Sequence, residues 1–257
     1  MDETRNRVQE RFGPLADRYV ASTVHSAGYS LDRLIELVEP GPGKRALDIA
    51  TGGGHVALGL ARAGAETIAS DLTMPMLDSA RKFISGEGIT AKYLRTDAQH
   101  LPFKENSLDI VTCRLAAHHF PDAAEYAREC ARVVRPGGGI GLVDQIGPAE
   151  HEAARYCNAY EKLRDPSHVW EYSQKDWKKY YENAGLQIKH VELSRVRLDF
   201  NWWTKMQNND ADTVLRLRIM LKQAPKAVAD WLEPELSDSG SGSFSLWLLI
   251  MVGIKQG

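Results

Sequence analysis

The stretch Arg45-Ala-Leu-Asp-Ile-Ala-Thr-Gly-Gly-Gly-His-Val-Ala57 decides the fold of this chain. It predicts a buried strand that ends in a carboxylate, then a glycine loop, then the first turn of a helix. Glycines let the backbone adopt positive φ and approach a ligand closely. The helix that follows begins with unpaired N–H groups and the positive end of its dipole. A strand, glycine loop and helix in this order indicate a site for a nucleotide cofactor.

Two cofactors compete for this loop. Gly52, Gly54 and Ala57 match the dinucleotide pattern G-x-G-x-x-G/A, which would make the protein an NAD-dependent oxidoreductase. Asp48 argues against this, because a unit charge about 4 Å from a pyrophosphate oxygen costs about 4 kcal/mol in a partly screened setting. The same carboxylate suits S-adenosylmethionine, which carries an ammonium and a sulfonium group. We predict that cofactor; a glycine turn that binds no ligand is the remaining alternative.

The composition of the chain limits its partners. Its 257 residues include 32 basic and 34 acidic side chains, which give a formal net charge of −2. A chain with this charge has no general electrostatic attraction to the phosphates of nucleic acid. Cys113, Cys130 and Cys157 lack Cys-x-x-Cys spacing, which favours a reducing compartment over a disulfide framework. The charged N-terminus has no signal-peptide core, and the longest apolar run is about half of a membrane span. We expect a soluble, cytoplasmic protein that does not insert into membranes.

Strand and helix patterns alternate along residues 45–146, as in a parallel sheet covered by helices on both faces. Longer helices follow, with a strand-like segment at Leu186–Phe200 and a last strand at Phe244–Ile254. We predict an α/β, Rossmann-like doubly wound sheet in one domain. Its expected parts are an N-terminal helical lid (1–40), a cofactor-binding core (41–147), additions that form a substrate lid (148–240) and the last strand (241–257).

Several residues predict where helices begin and end. Pro75 suits the first turn of a helix, Asp122 suits an N-cap, and Ser173 opens a helix that stops at Gly185. The run Pro136-Gly-Gly-Gly139 predicts the end of the helix that Asp122 caps, and a fifth strand is predicted at Ile140–Gln145.

Polar side chains also follow the other predicted strands. Because open parallel sheets bind ligands beyond the carboxyl ends of their strands, these side chains are candidates for cofactor contacts. Asp71 could accept hydrogen bonds from ribose hydroxyls, or could cap the next helix. Asp97 could accept the adenine amino hydrogen while the Ala98 N–H donates to the ring, unless Asp97 is an ordinary loop residue. Arg114 could bond Asp48, the methionine carboxylate or the backbone.

The motifs of this chain occur in the order and spacing of a known family. They are Asp48…Gly54, Ser70-Asp71-Leu72, Arg95-Thr-Asp-Ala98, Leu101-Pro-Phe103, Leu108-Asp-Ile-Val111, His118-His-Phe-Pro-Asp122 and Arg132-Val-Val-Arg-Pro-Gly-Gly138. The set resembles that of class I S-adenosylmethionine-dependent methyltransferases of the ubiquinone/menaquinone-biosynthesis type. The segment Phe12-Gly-Pro…Tyr19…His25-Ser resembles one bacterial branch that acts on small molecules.

The resemblance implies a seven-stranded sheet whose last strand is antiparallel, and it adds Leu72 to the expected cofactor contacts. Ala50 replaces the first glycine of the family's D-x-G-x-G-x-G. We expect the alanine to be tolerated because the chain does not need positive φ there. The resemblance does not decide whether carbon, oxygen or nitrogen is methylated, because related enzymes use all three.

Methyl transfer is an in-line displacement that needs a general base only if the acceptor loses a proton. His118 and His119 follow the fourth strand, near the expected mouth of the pocket, and either could be that base. His25 is a further candidate. The alternative is that these histidines only pack or bond the backbone. Tyr19 could lie over the sulfonium or could be plain N-terminal packing.

The predicted lid is rich in aromatic residues: Tyr156, Tyr160, Trp170, Tyr172, Trp177, Trp202 and Trp203. They predict either a lid core or an apolar pocket for an aromatic or lipophilic small-molecule acceptor. No metal site is expected, because Asp122 beside the paired histidines is committed to capping. A non-enzymatic S-adenosylmethionine-binding regulator is the other alternative to an enzyme. The oligomeric state, a homodimer included, is left open by the sequence.

Overall fold

A computed structural model describes residues 3–15, 28–237 and 240–257 of the chain. Tyr19 and His25, which the sequence nominates for the site, lie outside the described residues. The strands are β1 (Arg45–Ile49), β2 (Glu66–Asp71), β3 (Lys92–Arg95), β4 (Leu108–Arg114), β5 (Val134–Gln145), β6 (Leu186–Asp199), β7 (Glu235–Leu236) and β8 (Gly242–Lys255). The α-helices are α1 (Glu3–Phe12), α2 (Tyr29–Val38), α3 (His55–Arg62), α4 (Met74–Gly86), α5 (Ala123–Val133), α6 (His151–Arg164), α7 (Gln174–Asn183), α8 (Phe200–Met206), α9 (Ala211–Lys222) and α10 (Lys226–Leu232).

Seven strands form one sheet in the order β3-β2-β1-β4-β5-β8-β6. Strands β1 to β5 are parallel, and β8 runs antiparallel to both β5 and β6. The predicted antiparallel last strand is therefore confirmed, and the two-residue β7 is an addition that pairs with β8. The chain moves outward from β1 to β3 and then returns to β4 on the other side of β1. That reversal opens a crevice beyond the carboxyl ends of β1 and β4.

Helices cover both faces of the sheet, as the alternating pattern predicts. Leu47 and Val111 belong to one buried cluster, which also holds Tyr126 of α5 and Trp177 of α7. The residues preceding them in β1 and β4 belong to the other face, with α2 and α3. Successive residues of a strand point to opposite faces, so two hydrophobic layers arise from one run of apolar residues. The Rossmann-like, doubly wound prediction is confirmed.

Local signals placed most helix ends correctly. Pro75 lies in the first turn of α4, and the Asp122 side chain accepts the Glu125 N–H at the start of α5. Ser173 and Asp176 form a capping box at the start of α7. The helix ends before Pro136-Gly-Gly-Gly139, as predicted, but the predicted start of the fifth strand at Ile140 was wrong. Strand β5 begins at Val134, because Leu108 of β4 pairs with Val134 and an irregularity in the pairing accommodates the glycines.

Residues 148–240 are more than a cover for the sheet. They contribute β6, a 14-residue edge strand. Their other helices enclose a separate cluster in which Tyr160 stacks on Trp203 at a centroid distance of 5.0 Å. Trp177 is fully buried in the cluster on the sheet. Three of the seven predicted lid aromatics, Tyr160, Trp177 and Trp203, are therefore core residues.

The three cysteines are buried and form no disulfide. Cys113 of β4 and Cys130 of α5 belong to one buried cluster, and Cys157 of α6 belongs to another, so the three do not form one thiol site. Among the described residues, no helix is long and apolar enough to cross a membrane.

Close packing of α2 on β5 depends on Gly141. A Cβ added there would lie 2.6 Å from side-chain carbons of both Leu34 and Val38. We expect Gly141→Ala to lower the free energy of unfolding by about 1–3 kcal/mol, because α2 must shift away from the sheet. Chemical denaturation measures the change. Gly139→Ala, in the same strand, is the matched control, since its new Cβ would meet only Ile254 at 3.6 Å; an equal loss in both variants would contradict this explanation.

Candidate active site

Two adjoining cavities open at the carboxyl ends of the central strands. The first cavity lies beyond β1, β2 and β4 and is lined by, among others, Asp48, Ala50, Gly52, Asp71, Leu72, Asp97, Ala98 and Arg114. The structure therefore brings together eight of the residues nominated as cofactor contacts. Gly54 is not on the cavity wall.

Asp48 is 1% exposed although it lines the first cavity. Its carboxylate accepts hydrogen bonds from the hydroxyls of Thr51 at 2.7 Å and Thr112 at 2.8 Å. Burial raises the pKa of Asp48 to about 6, although these two bonds and the charge of Arg114 lower it. At neutral pH the group is mostly ionised, at a cost in solvation that a cationic ligand would offset.

Two glycines in the loop between β1 and α3 have different structural roles. Gly52 has φ +52° and donates its N–H to Asp71 at 3.1 Å. Gly54 has φ +88° and is the N-cap of α3. A Cβ on Gly54 would lie 3.0 Å from the Cβ of Ala80 in α4. Gly54 thus allows two helices to approach, while Gly52 faces the cavity.

Ala50 departs from the expectation based on the sequence. The prediction that this position does not need positive φ was wrong, because Ala50 has φ +51°. A side chain in the left-handed region costs about 1–2 kcal/mol, since Cβ crowds the following carbonyl oxygen. The loop holds this strained geometry between the end of β1 and Gly52.

Asp71 ends β2 and supports the loop as well as lining the cavity. One oxygen accepts from the N–H and the hydroxyl of Thr73, each at 2.9 Å, and the other accepts from Gly52. Thr73 is the N-cap residue of α4, so Asp71 fixes the start of that helix. Burial raises the pKa of Asp71, and these hydrogen bonds lower it. Asp71 therefore supports the start of α4, which was the alternative role expected from the sequence, and it also lines the first cavity.

Helix α1 lies over the first cavity and contacts its rim. Arg5 forms an ion pair with Asp97 at 2.5 Å, and the Gln9 amide donates to the Leu72 carbonyl at 3.3 Å. On the other side, Arg11 donates to the Gln207 side chain at 2.8 Å. No residue of α1 is buried, so these polar contacts hold the helix in place.

Arg114 ends β4 and lines both cavities. Its guanidinium donates to the Ser30 hydroxyl of α2 at 3.3 Å, a partner that the sequence did not suggest. Burial lowers its pKa to about 10, whereas the nearby Asp48 and Asp32 raise it. Arg114 remains protonated at neutral pH. Sequence analysis offered Asp48, the methionine carboxylate and the backbone as partners of Arg114; the structure places Arg114 close enough to Asp48 for electrostatic attraction.

The second cavity has a volume of about 420 Å³, within the range of small-molecule sites. It shares four wall residues with the first cavity: Phe12, Arg114, Leu115 and His119. Its outer wall comes from β6, β8, α6 and α8, and includes Val196, Leu198, Trp202, Trp203, Leu246 and Leu248. The loops that follow β1 to β4 therefore supply most of the first cavity, and residues after 147 supply most of the second.

His118 and His119 form a one-turn 3₁₀ helix (Ala117–His119) between the cavities. His118 is 8% exposed, so it is buried inside and not at the cavity mouth. Asp144 of β5 accepts its backbone N–H and its Nδ1, both at 2.7 Å. Burial lowers the pKa of His118, but the adjacent Asp144 carboxylate outweighs this and raises it.

His119 has a different environment. Its ring packs edge-on against Phe12 at 4.9 Å, and its Nδ1 lies 3.4 Å from the Ser167 hydroxyl. Burial and the positive charge of His118 lower the pKa of His119 to about 3. The ring is neutral at pH 7 and is a weak base.

Sequence reasoning missed three residues of this region: Asp144, Arg5 and Phe12. Asp144 could have been found, because it lies near the carboxyl end of a parallel strand, like Asp48, Asp71 and Asp97. Arg5 and Phe12 had no such signal, since α1 reaches the cavity only through tertiary contacts. Within the described part of the chain, no group of three or more His, Cys, Asp and Glu is arranged to hold a metal ion.

Comparison with known proteins agrees with this geometry. The family described as "Methyltransferase domain" matches residues 47–141. YcgJ of Bacillus subtilis (strain 168), an uncharacterised methyltransferase, is 32% identical over 247 residues, which cover 95% of this chain and 98% of that protein. The crystal structure of the BH2331 protein of Bacillus halodurans superposes with a TM-score of 0.86 at 32% identity, covering 90% of this chain and 100% of that one.

A third relative supports the subtype suggested by the motifs. The ubiquinone/menaquinone biosynthesis C-methyltransferase UbiE of Ruegeria sp. (strain TM1040) is 33% identical over 150 residues, which cover 55% of this chain and 60% of that protein. The chain belongs to the class I S-adenosylmethionine-dependent methyltransferase family.

The strain at Ala50 has a measurable consequence. We expect Ala50→Gly to raise the free energy of unfolding by about 0.5–1 kcal/mol, because relief of the left-handed geometry exceeds the entropy cost of glycine. Ala63→Gly, at a residue with φ −76°, is the matched control and should lower it by a similar amount. Denaturant titration of both variants checks the signs; a loss of stability in Ala50→Gly would be inconsistent with strain there.

Proposed function

We propose that this protein transfers a methyl group from S-adenosylmethionine, bound in the first cavity, to a small-molecule acceptor in the second. The observation that carries the proposal is that the two cavities adjoin, since Phe12, Arg114, Leu115 and His119 line both of them. Ligands in adjoining cavities can approach each other closely. In-line displacement requires that proximity.

The charges of the first cavity suit a cationic donor. Asp48, Asp71 and Asp97 line it, and the two arginines on its wall are each near one of these carboxylates: Arg114 attracts Asp48, and Arg5 pairs with Asp97. A pyrophosphate would meet this acidic surface at close range, which disfavours a nicotinamide dinucleotide. When bound, S-adenosylmethionine supplies an activated methyl group and a neutral thioether leaving group.

The residue roles follow the positions of the strand ends. Asp71 and Leu72 would hold the ribose at the end of β2, while Asp97 and Ala98 would receive the adenine after β3. Asp48, Arg114 and the loop of Ala50 and Gly52 would hold the methionine part. Gly54 would act indirectly, by letting α3 approach α4. Tyr19 remains a proposed contact on sequence grounds alone.

Adenine recognition by Asp97 has to accommodate Arg5 of α1, which already pairs with this carboxylate. In the structure, the Asp97 carboxylate is engaged by Arg5 and by the Gln99 N–H at 2.9 Å. The adenine amino group would therefore share Asp97 with Arg5 or replace it. Phe12 and Val8 of α1 would then exclude water from the bound donor.

The second cavity favours an aromatic or lipophilic acceptor. Val196, Leu198, Leu246 and Leu248 form an apolar surface from two neighbouring strands, with Trp202 beside it. Of the two candidate bases, His118 fits better than His119. Asp144 orients the ring of His118 and supports its protonated form, whereas His119 resists protonation. We propose a cytoplasmic location, in keeping with three unpaired cysteines.

Binding of the donor should depend on pH through Asp48. Its carboxylate must be ionised to attract the donor, and its pKa is about 6 in the free protein. Affinity for S-adenosylmethionine should therefore fall below pH 6, approaching tenfold per pH unit. Asp48→Asn should weaken binding at pH 7 and reduce this slope. Calorimetry between pH 5 and 8 tests both points, with the exposed Asp230→Asn as the control; an unchanged slope in Asp48→Asn would refute the role of Asp48.

Transfer itself is tested with methyl-labelled S-adenosylmethionine and a panel of aromatic and lipophilic acceptors. Labelled product supports the proposal. Binding of NAD in place of S-adenosylmethionine would favour an oxidoreductase. Tight binding of S-adenosylmethionine without transfer to any acceptor would favour a regulator that only binds it.

A further inference from the structure

A histidine–carboxylate pair lies beside the second cavity: His118 lines the cavity, and the buried Asp144 binds His118 from behind. Asp144 is fully buried, and both of its oxygens bind the same residue, one at the backbone N–H of His118 and one at Nδ1. Because Nδ1 is committed to the carboxylate, Nε2 is the nitrogen left for a ligand. Nε2 has no hydrogen-bond partner among the described residues, and the His118 ring lines the cavity.

The backbone around His118 is fixed from the opposite side as well. Its carbonyl accepts the N–H groups of Val169 and Trp170, at 2.9 and 3.1 Å. His118 is thus held at its N–H, its carbonyl and its ring by two separate parts of the chain. A histidine that served only to fill the core would not need its ring direction defined in this way.

The charges on the cavity wall favour an acceptor that becomes negative. Four arginines line it, Arg114, Arg164, Arg195 and Arg197, against two carboxylic residues, Glu161 and Asp165. Asp165 is already bound by Ser167 and Gln207, and Glu161 lies 3.6 Å from Arg164. The arginines also have carboxylate neighbours: Arg195 pairs with Glu233 at 2.8 Å, Arg197 pairs with Glu235 at 3.3 Å, and Arg114 is attracted to Asp48. On the cavity wall itself arginines still outnumber carboxylic residues, which disfavours a protonated amine relative to a hydroxyl that gives up its proton.

We infer that the acceptor is a hydroxylated aromatic or enolic compound whose hydroxyl gives its proton to Nε2 of His118, with Asp144 as the residue that positions the imidazole. This rests on the proposed function and deepens it. The planar ring of such an acceptor would lie on the apolar surface of Val196, Leu198, Leu246 and Leu248, and its hydroxyl would point to the wall shared with the first cavity.

The step balances as follows. The acceptor oxygen loses its proton to Nε2 and forms a bond to the methyl carbon. The electron pair of the broken sulfur–methyl bond remains on sulfur, whose positive charge is thereby removed. His118 becomes an imidazolium beside the Asp144 carboxylate and returns the proton to solvent after the product leaves. No oxidant, reductant or metal is required.

Other charged groups face His118 and will contribute to its titration. They are His119 on its own turn, Asp144 of β5, Glu161, Arg164 and Asp165 at the end of α6, and His168 on the loop that follows. The nearest rings, His119 and His168, lie 4.2 and 5.7 Å away by centroid. The lowered pKa values of both leave them neutral, because burial and the charge of His118 oppose their protonation.

The first test is the choice of acceptor. Wild-type protein and labelled S-adenosylmethionine are offered 1-naphthol, catechol and 4-nitrophenol beside 1-naphthylamine, aniline and thiophenol. We expect oxygen methylation of the hydroxyl compounds at rates at least tenfold above the amines. Transfer to the amines or the thiol alone would overturn this inference and leave the proposed function intact. Binding of S-adenosylmethionine without any transfer would overturn both.

The second test distinguishes a positioning role of Asp144 from a purely structural one. We expect His118→Gln to lower kcat about 100-fold and to abolish the rising limb of the pH–rate profile. Asp144→Asn should lower kcat and move that limb to lower pH, because loss of the carboxylate lowers the pKa of His118. NMR titration of the His118 ring in the S-adenosylhomocysteine complex gives the same pKa shift without turnover.

Matched controls are available in the chain. His151→Gln and Asp230→Asn alter exposed residues far from the cavities and should change neither readout. Affinity for S-adenosylhomocysteine and the thermal midpoint show whether Asp144→Asn is folded. A folded Asp144→Asn whose His118 titrates as in the wild type, or a rising limb that persists in His118→Gln, would overturn the inference.

Discussion

A carboxylate buried in the middle of the sheet constrains the first cavity of this protein. Asp48 leaves β1 beside the point where the strand order reverses, and water reaches almost none of its surface. Two threonine hydroxyls and one nearby guanidinium compensate for part of the lost hydration. Because the compensation is incomplete, the charge is costly until a cation arrives. The glycine loop, the strained Ala50 and the support from Asp71 all hold the space next to this charge.

The two cavities divide the chain into parts with separate tasks. Strands β1, β2 and β4 and the segments that follow β1 to β4 supply most of the first cavity, and the family match includes them. Helices α6 and α8 with strands β6 and β8 supply much of the second cavity. Membership of the family therefore says much about the donor and little about the acceptor. The chemistry of the acceptor has to be inferred from the side chains of the second cavity.

Polar contacts of α1 connect the two parts. The helix buries no residue of its own, yet Arg5 and Gln9 contact the donor rim and Arg11 contacts α8 and its following turn. Such contacts exchange readily with water, so they hold the helix less firmly than an apolar interface would. One helix therefore contacts both the rim of the first cavity and the part of the chain that follows residue 147.

Local sequence determined a large part of this structure. The strand, glycine loop and helix at Arg45–Ala57 and the helix caps at Asp122 and Ser173 depend on short-range periodicity and on side chains that bond neighbouring backbone. The antiparallel direction of the last strand was predicted only through the resemblance to the methyltransferase family. The carboxylates at strand ends were predictable because parallel strands end at one edge. Only the tertiary structure decided the rest. Positive φ at Ala50, the start of β5, the pairing of Asp144 with His118 and the approach of α1 all depend on residues far apart in the chain, and spacing along the sequence carries no information about such contacts.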